Sequence, residues 1–261
     1  MGTRKYLTAA FALLATLLIW TAASAQTETA KPADTLTGDQ LMARFIDASG
    51  GKAAYDKLNT RYQHATVELM ANLKVPITLW FARPNKMKSS MSNDQIGSID
   101  RGYDGKLFWE RTTMTGTRLL EGQELTDAIR EEATFDRFTD WKSLYPKTEY
   151  LGSDSAAGVM CQKVRVVPKD GPEQTWYFDK STGLLHKIAI TMNTQMGVVP
   201  ADVTLSDYRK VDGVMMPYLM TTTAVGMDMK MVIDSIAHNI PIPDSVFAAP
   251  AEAVKLAQPK K

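Results

Sequence analysis

One cysteine in 261 residues, Cys161, excludes a disulfide within the chain and a cysteine-rich metal site. Neither sign of charge is in surplus. The 30 Lys and Arg stand against 29 Asp and Glu, and a net charge of +1 lacks the clustered basic excess that nucleic-acid binding needs. With 16 Gly and 12 Pro the chain is neither collagen-like nor of low complexity, and 44% hydrophobic with 23% charged residues are globular proportions. The histidines are three, at 64, 186 and 238, outside any His-Glu-x-x-His or His-x-His spacing. A Gly-x-Ser-x-Gly elbow, a phosphate-cradling glycine loop and a dinucleotide fingerprint are also missing. Asp100, Asp104, Asp179, Asp207 and Asp212 read as turn residues, without the spacing of a calcium loop. The expectation is therefore no catalytic residue, no metal and no cofactor. Cys161 reads as a buried strand residue and His186 as a solvent-facing one.

What is present begins with an export pattern. Arg4 and Lys5 precede an apolar run from Leu7 to Trp20 and then Ala23-Ser24-Ala25, the order of a secretory signal peptide cleaved after Ala25. The run is shorter than the roughly 20 apolar residues that span hydrocarbon. Residues 1–25 are thus expected to be a signal peptide, 26–36 a flexible segment, 37–250 one domain and 251–261 a frayed tail. The expected location is the periplasm.

Within the domain, Thr37 and Gln40 form a capping-box pattern ahead of Leu41, Met42, Phe45 and Ile46 on one helical face, and Gly50-Gly51 ends that helix. Ala54, Tyr55 and Leu58 mark a shorter helical piece. From Val67 the period changes to two: Val67, Leu69, Ala71, Leu73, Val75, Ile77, Leu79 and Phe81 share one apolar face, enough for two strands or one bent strand. Pro76 cannot donate to a ladder and marks an edge or a bulge. Turns at Arg83-Pro84-Asn85, Asp104-Gly105, Asp170-Gly171, Thr182-Gly183 and Asp212-Gly213 follow too closely for βαβ crossovers, so the sheet is expected to be large and antiparallel. Gln123 to Leu144 breaks the pattern as a helical insertion, with Thr126 as N-cap and Leu125, Ile129, Ala133, Phe138 and Trp141 as its apolar contacts.

Methionine is the residue in surplus. Eight of 15 lie between Met192 and Met231, and Val225, Met227, Met229, Met231 and Ile233 alternate with largely polar residues. Unbranched thioethers either fill gaps in a core or form a wall that repacks around varied ligands.

Several ordered motifs resemble one family. Leu79-Trp80-Phe81-Ala82-Arg83-Pro84-Asn85-Lys86-Met87, Tyr103-Asp104-Gly105-Lys106-Leu107-Phe108-Trp109 and Phe247-Ala248-Ala249-Pro250 resemble segments of LolA, the periplasmic lipoprotein carrier, and of related outer-membrane lipoprotein-sorting proteins. Phe178 to Leu185, and Asp207-Tyr208 through Gly213 to Pro217, are similar to hairpins of the broader relatives. The resemblance implies an α+β, mainly antiparallel fold: a curved, unclosed β-barrel with helices packed on or lidding its concave face. It implies that Arg83 takes the place of the family's functional arginine, which ties lid to barrel. Met87 falls where the family carries an apolar, usually aromatic, residue that receives lipid. No counterpart of the family's lid residues is recognised in Gln123 to Leu144.

Together these readings give a non-catalytic, monomeric periplasmic carrier of lipid or lipoprotein acyl chains, bound in an apolar half-barrel cavity by Leu79, Phe81, Arg83, Met87, Met227, Met229 and Met231. Its expected partners are an inner-membrane release complex or an outer-membrane acceptor. The alternatives are an envelope scaffold module of the same fold with a filled core, and a lipid hydrolase with a dispersed site around His186 or His238.

Overall fold

Thr37 starts the fold as its sequence dictates. In the computed structural model its hydroxyl accepts the Gln40 N–H at 3.1 Å, while the Gln40 Oε1 accepts the Thr37 N–H at 2.8 Å. The structure describes residues 36–69, 73–194 and 197–258. The expected signal peptide and cleavage point, the segment 26–35 and Met196 lie outside them.

Helix α1 (Gly38–Ala48) buries Leu41, Met42, Phe45 and Ile46, as the spacing predicts. Gly50 and Gly51 then adopt φ of +122° and +79°, which turns the chain into the short α2 (Lys52–Tyr55). Six strands follow: β1 (Thr60–Glu68), β2 (Lys74–Ala82), β3 (Lys86–Asn93), β4 (Gly97–Tyr103), β5 (Phe108–Thr112) and β6 (Gly116–Leu119). The insertion comprises α3 (Gly122–Ala128), a π-helical segment Ile129–Ala133 and α4 (Trp141–Leu144). Seven more strands complete the sheet: β7 (Lys147–Ala156), β8 (Val159–Val167), β9 (Gln174–Asp179), β10 (Leu185–Thr194), β11 (Gly197–Val211), β12 (Val214–Ala224) and β13 (Met227–His238). A 3₁₀ turn, Asp244–Val246, leads into α5 (Ala251–Leu256).

All 13 strands form one antiparallel sheet in the order β6-β5-β4-β3-β2-β1-β13-β12-β11-β10-β9-β8-β7. Two meanders, one before and one after the insertion, are joined where β1 pairs with β13. The two strands that flank the insertion, β6 and β7, are the free edges, so the sheet is not closed into a barrel. Every Asp-Gly or Thr-Gly turn named above separates adjacent strands. The long apolar run divides into β1 and β2, and Pro76 lies one residue outside the β2–β3 ladder, which begins at Ile77↔Met91. Its missing donor is thus at a local edge.

Helices α1 to α4 fill one face of this sheet. Helices α1 and α4 with Phe138 pack on Val164, Val166, Trp176, Phe178, Leu185 and Leu205. Leu125, Ala128, Ile129 and Ala133 of the insertion pack on Phe81, Met87, Tyr103 and Phe108. A third cluster places Ala54, Tyr55, Leu58 and Phe135 on Ala65, Met216, Tyr218 and Ile233.

Some local expectations change. Leu120 is pinned to Phe108 by a 2.9 Å backbone bond, so α3 starts at once and Thr126 is interior, its hydroxyl donating to the Gly122 carbonyl. Asp100 is no turn residue: it sits buried in β4, held by Ser90 at 2.6 Å and Arg111 at 2.8 Å. His186 is the bulge residue between β9 and β10 and only part-exposed, its Nε2 buried. The tail does not fray from 251: α5 forms against β6 and buries Ala253. Cys161 is buried in β8, and burial pushes its thiol up to about 11.

Candidate functional site

Register fixes which side chains share the helix-covered face, because directly opposed residues project the same way. Following β1 gives Arg61, Gln63, Ala65 and Val67, opposite Phe81, Leu79, Ile77 and Val75 on β2. On the other side Ala65 faces Ile233 and Val67 faces Met231, which in turn faces Met220. Phe81 opposes Met87, and Met87 opposes Tyr103.

Six of the seven residues expected to bind lipid fall into two groups. Leu79, Phe81 and Met87 are covered by the insertion, with Phe81 and Met87 buried. Met231 packs at the margin of the third cluster, while Met229 and Met227 are 38% and 47% exposed. Phe81 and Met231 are separated by the six residue steps from Arg61 to Val67, about 20 Å of strand. Along this face the sheet passes from buried Ile233 to open Met229 and Met227. On β10, separated from β13 by β12 and β11, Met192 is also open at 38% exposure.

Arg83 lies at the other end. At the cis Arg83–Pro84 turn its guanidinium donates to the Tyr55 carbonyl at 2.8 Å and to the Leu58 carbonyl, and pairs with Asp136 of the insertion. Its charge also lies 5.0 Å from the centre of the Phe135 ring, and the Phe135 N–H donates to the Pro84 carbonyl. Arginine forks tie the insertion down elsewhere. Arg101 bridges Glu110 at 3.0 Å and Glu132 at 2.9 Å, and Arg118 grips both oxygens of Glu124 at 2.7 and 2.8 Å. Glu131, in the π-helical turn, accepts from Arg130 at 2.8 Å, Arg137 at 2.7 Å, Tyr145 at 3.0 Å and Gln174 at 2.7 Å. Burial works to raise the pKa of Glu131, but Arg137, Arg130 and Gln174 outweigh it and hold the carboxyl below the ordinary range.

Arg61 differs from these arginines. Its guanidinium lies 4.1 Å from the Phe81 ring centre and 5.6 Å from that of Phe135, and no carboxylate among the described residues pairs with it. Its Nε is buried without a hydrogen-bond partner among the described residues. Burial lowers its pKa to about 10, Tyr55 opposes that shift and Arg137 adds to it. Directly across the ladder is His238, whose side chain is 1% exposed. Its Nδ1 lies 3.0 Å from Asp212 and its Nε2 is buried without a partner. Burial depresses the His238 pKa; Asp212 counters this and the Arg61 charge reinforces it. Sequence reading did not single out Arg61, Phe135 or Asp136. The signal for Arg61 was available, because continuing the apolar phase of Val67 back through Ala65 and Gln63 puts an arginine on the inner face.

Two recesses stand out among the described residues. One of about 590 Å³ lies between the β5–β6 hairpin and α5, lined by Arg111, Thr117, Lys255 and Leu256 among others. The second, about 180 Å³, lies between the insertion and the β8–β9 turn at Asp170. Neither is lined by any of the seven residues. Among the described residues no cluster of three or more His, Cys, Asp or Glu could hold a metal ion.

No family model and no curated protein matches the chain. Solved structures do. A DUF1329 family protein from Desulfovibrio piger superposes with a TM-score of 0.55 at 12% identity, over 81% of this chain and 97% of its own. A LolA superfamily protein from Nitrosomonas europaea gives 0.54 at 8% identity, over 82% and 98%. A putative outer-membrane lipoprotein-sorting protein domain from Vibrio parahaemolyticus gives 0.53 at 9% identity, over 80% and 97%. With an open, curved antiparallel sheet carrying α1 to α4 on one face, the chain has the LolA-like fold shared by these proteins.

Proposed function

We propose that this protein is a non-catalytic carrier, exported to the periplasm, that binds lipid or lipoprotein acyl chains on the inner face of its sheet. The observation that carries the reading is the continuity of that face. Apolar residues run from Phe81, under the insertion, past Ala65 and Ile233 to Met231, and the same face emerges as exposed Met229 and Met227. The fold's likeness to a putative lipoprotein-sorting domain supports it.

In this reading the insertion occupies the acyl site when no lipid is bound. Phe135 and Ile129 cover the surface that a chain would cover, so lipid and insertion compete. Burying roughly 14 methylenes at about 0.8 kcal/mol each would gain on the order of 11 kcal/mol, enough to make a permanently open groove slow to release. Displacing the insertion subtracts from that gain. The polar forks at Arg83, Arg101 and Arg118 set how much it subtracts.

Titration with a fluorescent acyl probe tests this. Met229→Glu puts a carboxylate on the apolar face at a part-exposed position. Probe affinity is expected to fall at least ten-fold with the melting temperature unchanged. Unchanged affinity would remove that face from the site.

A filled-core scaffold module is the second reading. It is favoured by the insertion's packing over Leu79, Phe81 and Met87 and by the placement of the two recesses elsewhere. It requires that no acyl probe enter at all.

A further inference from the structure

We propose that Arg61, with His238 beside it, forms an oxyanion site that holds the headgroup of an anionic amphiphile, a carboxylate or a phosphate. The inference rests on the acyl-binding reading above and adds the chemical class of the ligand. A guanidinium lying against Phe81 and Phe135, with its Nε buried, has lost part of its water, and cation–π contact replaces only some of that. The neighbouring acidic groups are already engaged. Asp136 takes Arg83, Glu131 takes Arg130 and Arg137, and Asp212 takes His238. Among the described residues Arg61 is the arginine of this group that lacks a carboxylate partner.

Two buried nitrogens without partners, Arg61 Nε and His238 Nε2, sit on directly opposed residues of β1 and β13. An oxyanion is the group that accepts from a guanidinium edge, and it also accepts from an imidazole when the ring is protonated. Phe81 and Phe135 wall the guanidinium, and the inner face of β1 leads from Arg61 past the buried Gln63 to Ala65, Val67 and the methionine row. A free inorganic ion would use the charge and leave these walls unused. A headgroup with a chain attached uses both.

The test measures displacement of the fluorescent acyl probe by palmitate, by its uncharged methyl ester and by inorganic phosphate, on the intact mature protein and on Arg61→Met and Arg61→Lys. Wild type is expected to bind palmitate at least ten-fold tighter than the ester. Arg61→Met is expected to erase that preference while keeping ester affinity, and its ligand-free melting temperature should equal or exceed wild type, since an uncompensated charge leaves an apolar site. Arg61→Lys keeps the charge without the fork and is expected to retain a reduced preference. Equal affinity for palmitate and ester in wild type would overturn the headgroup site while leaving the acyl reading intact. Binding of neither would overturn both. Phosphate binding that requires Arg61, without a preference for palmitate over ester, would mark a free-ion site and refute the amphiphile.

Discussion

Arg83→Ala should loosen the insertion without unfolding the sheet, and the structure sets the size of the effect. The substitution removes the pair with Asp136 and leaves the Tyr55 and Leu58 carbonyls without the guanidinium. Hydrogen bonds involving charged groups contribute about 1.5–3 kcal/mol each. Both side chains of the pair are 25% exposed, so water recovers part of the loss. A total near 3 kcal/mol follows for Arg83→Ala, and about 2 kcal/mol for Asp136→Ala. At roughly 2–4 °C per kcal/mol for a domain of this size, the melting temperature of Arg83→Ala should drop by about 6–12 °C. A double-mutant cycle isolates the pair, with an expected coupling of about 1–2 kcal/mol. Hydrogen exchange adds the location: amides from α3 to α4 should exchange faster, while those of β8 and β9, buried under α1, keep their protection. Single variants that melt like wild type, or a coupling below about 0.5 kcal/mol, would refute the clamp.

Two further outcomes concern Glu131 and Gly50. Because the Glu131 carboxyl is held below its ordinary range in the folded state, its contribution to stability is present above the unfolded pKa of about 4.3 and is lost as pH falls through the folded value. Thermal melts from pH 7 down to pH 3 should therefore show a steeper acid loss in wild type than in Glu131→Gln, and parallel curves would contradict this. Gly50→Ala should cost about 3 kcal/mol, since φ is +122° and an added Cβ would lie 2.4 Å from the Gly213 carbonyl oxygen. Denaturant titration checks it, and a midpoint within error of wild type would contradict it.

Local structure was legible where one residue type has a distinct conformational role. Thr37 with Gln40 gives the first helix its start, Gly50-Gly51 its end, and the Asp-Gly pairs the meander turns. Alternation from Val67 to Phe81 fixed which face is apolar. Sheet order was less accessible, because pairing β1 with β13 joins Arg61 to His238 across nearly the whole domain and no local pattern encodes it. The same distance hid the site's polar half. Asp136 is 53 residues from Arg83 in sequence, and only the fold brings the insertion back to the turn. The methionine alternation was read correctly as one face, but alternation cannot tell a covered stretch from an open one. Met231 is packed while Met227, four residues away, is exposed.

Native mass spectrometry of protein purified from its own envelope tests the carrier reading most directly. The expected result is the mature chain with a lipid or lipopeptide bound, and loss of that added mass when a competing acyl chain is supplied. A bare protein mass, together with no uptake of any acyl probe, would contradict it.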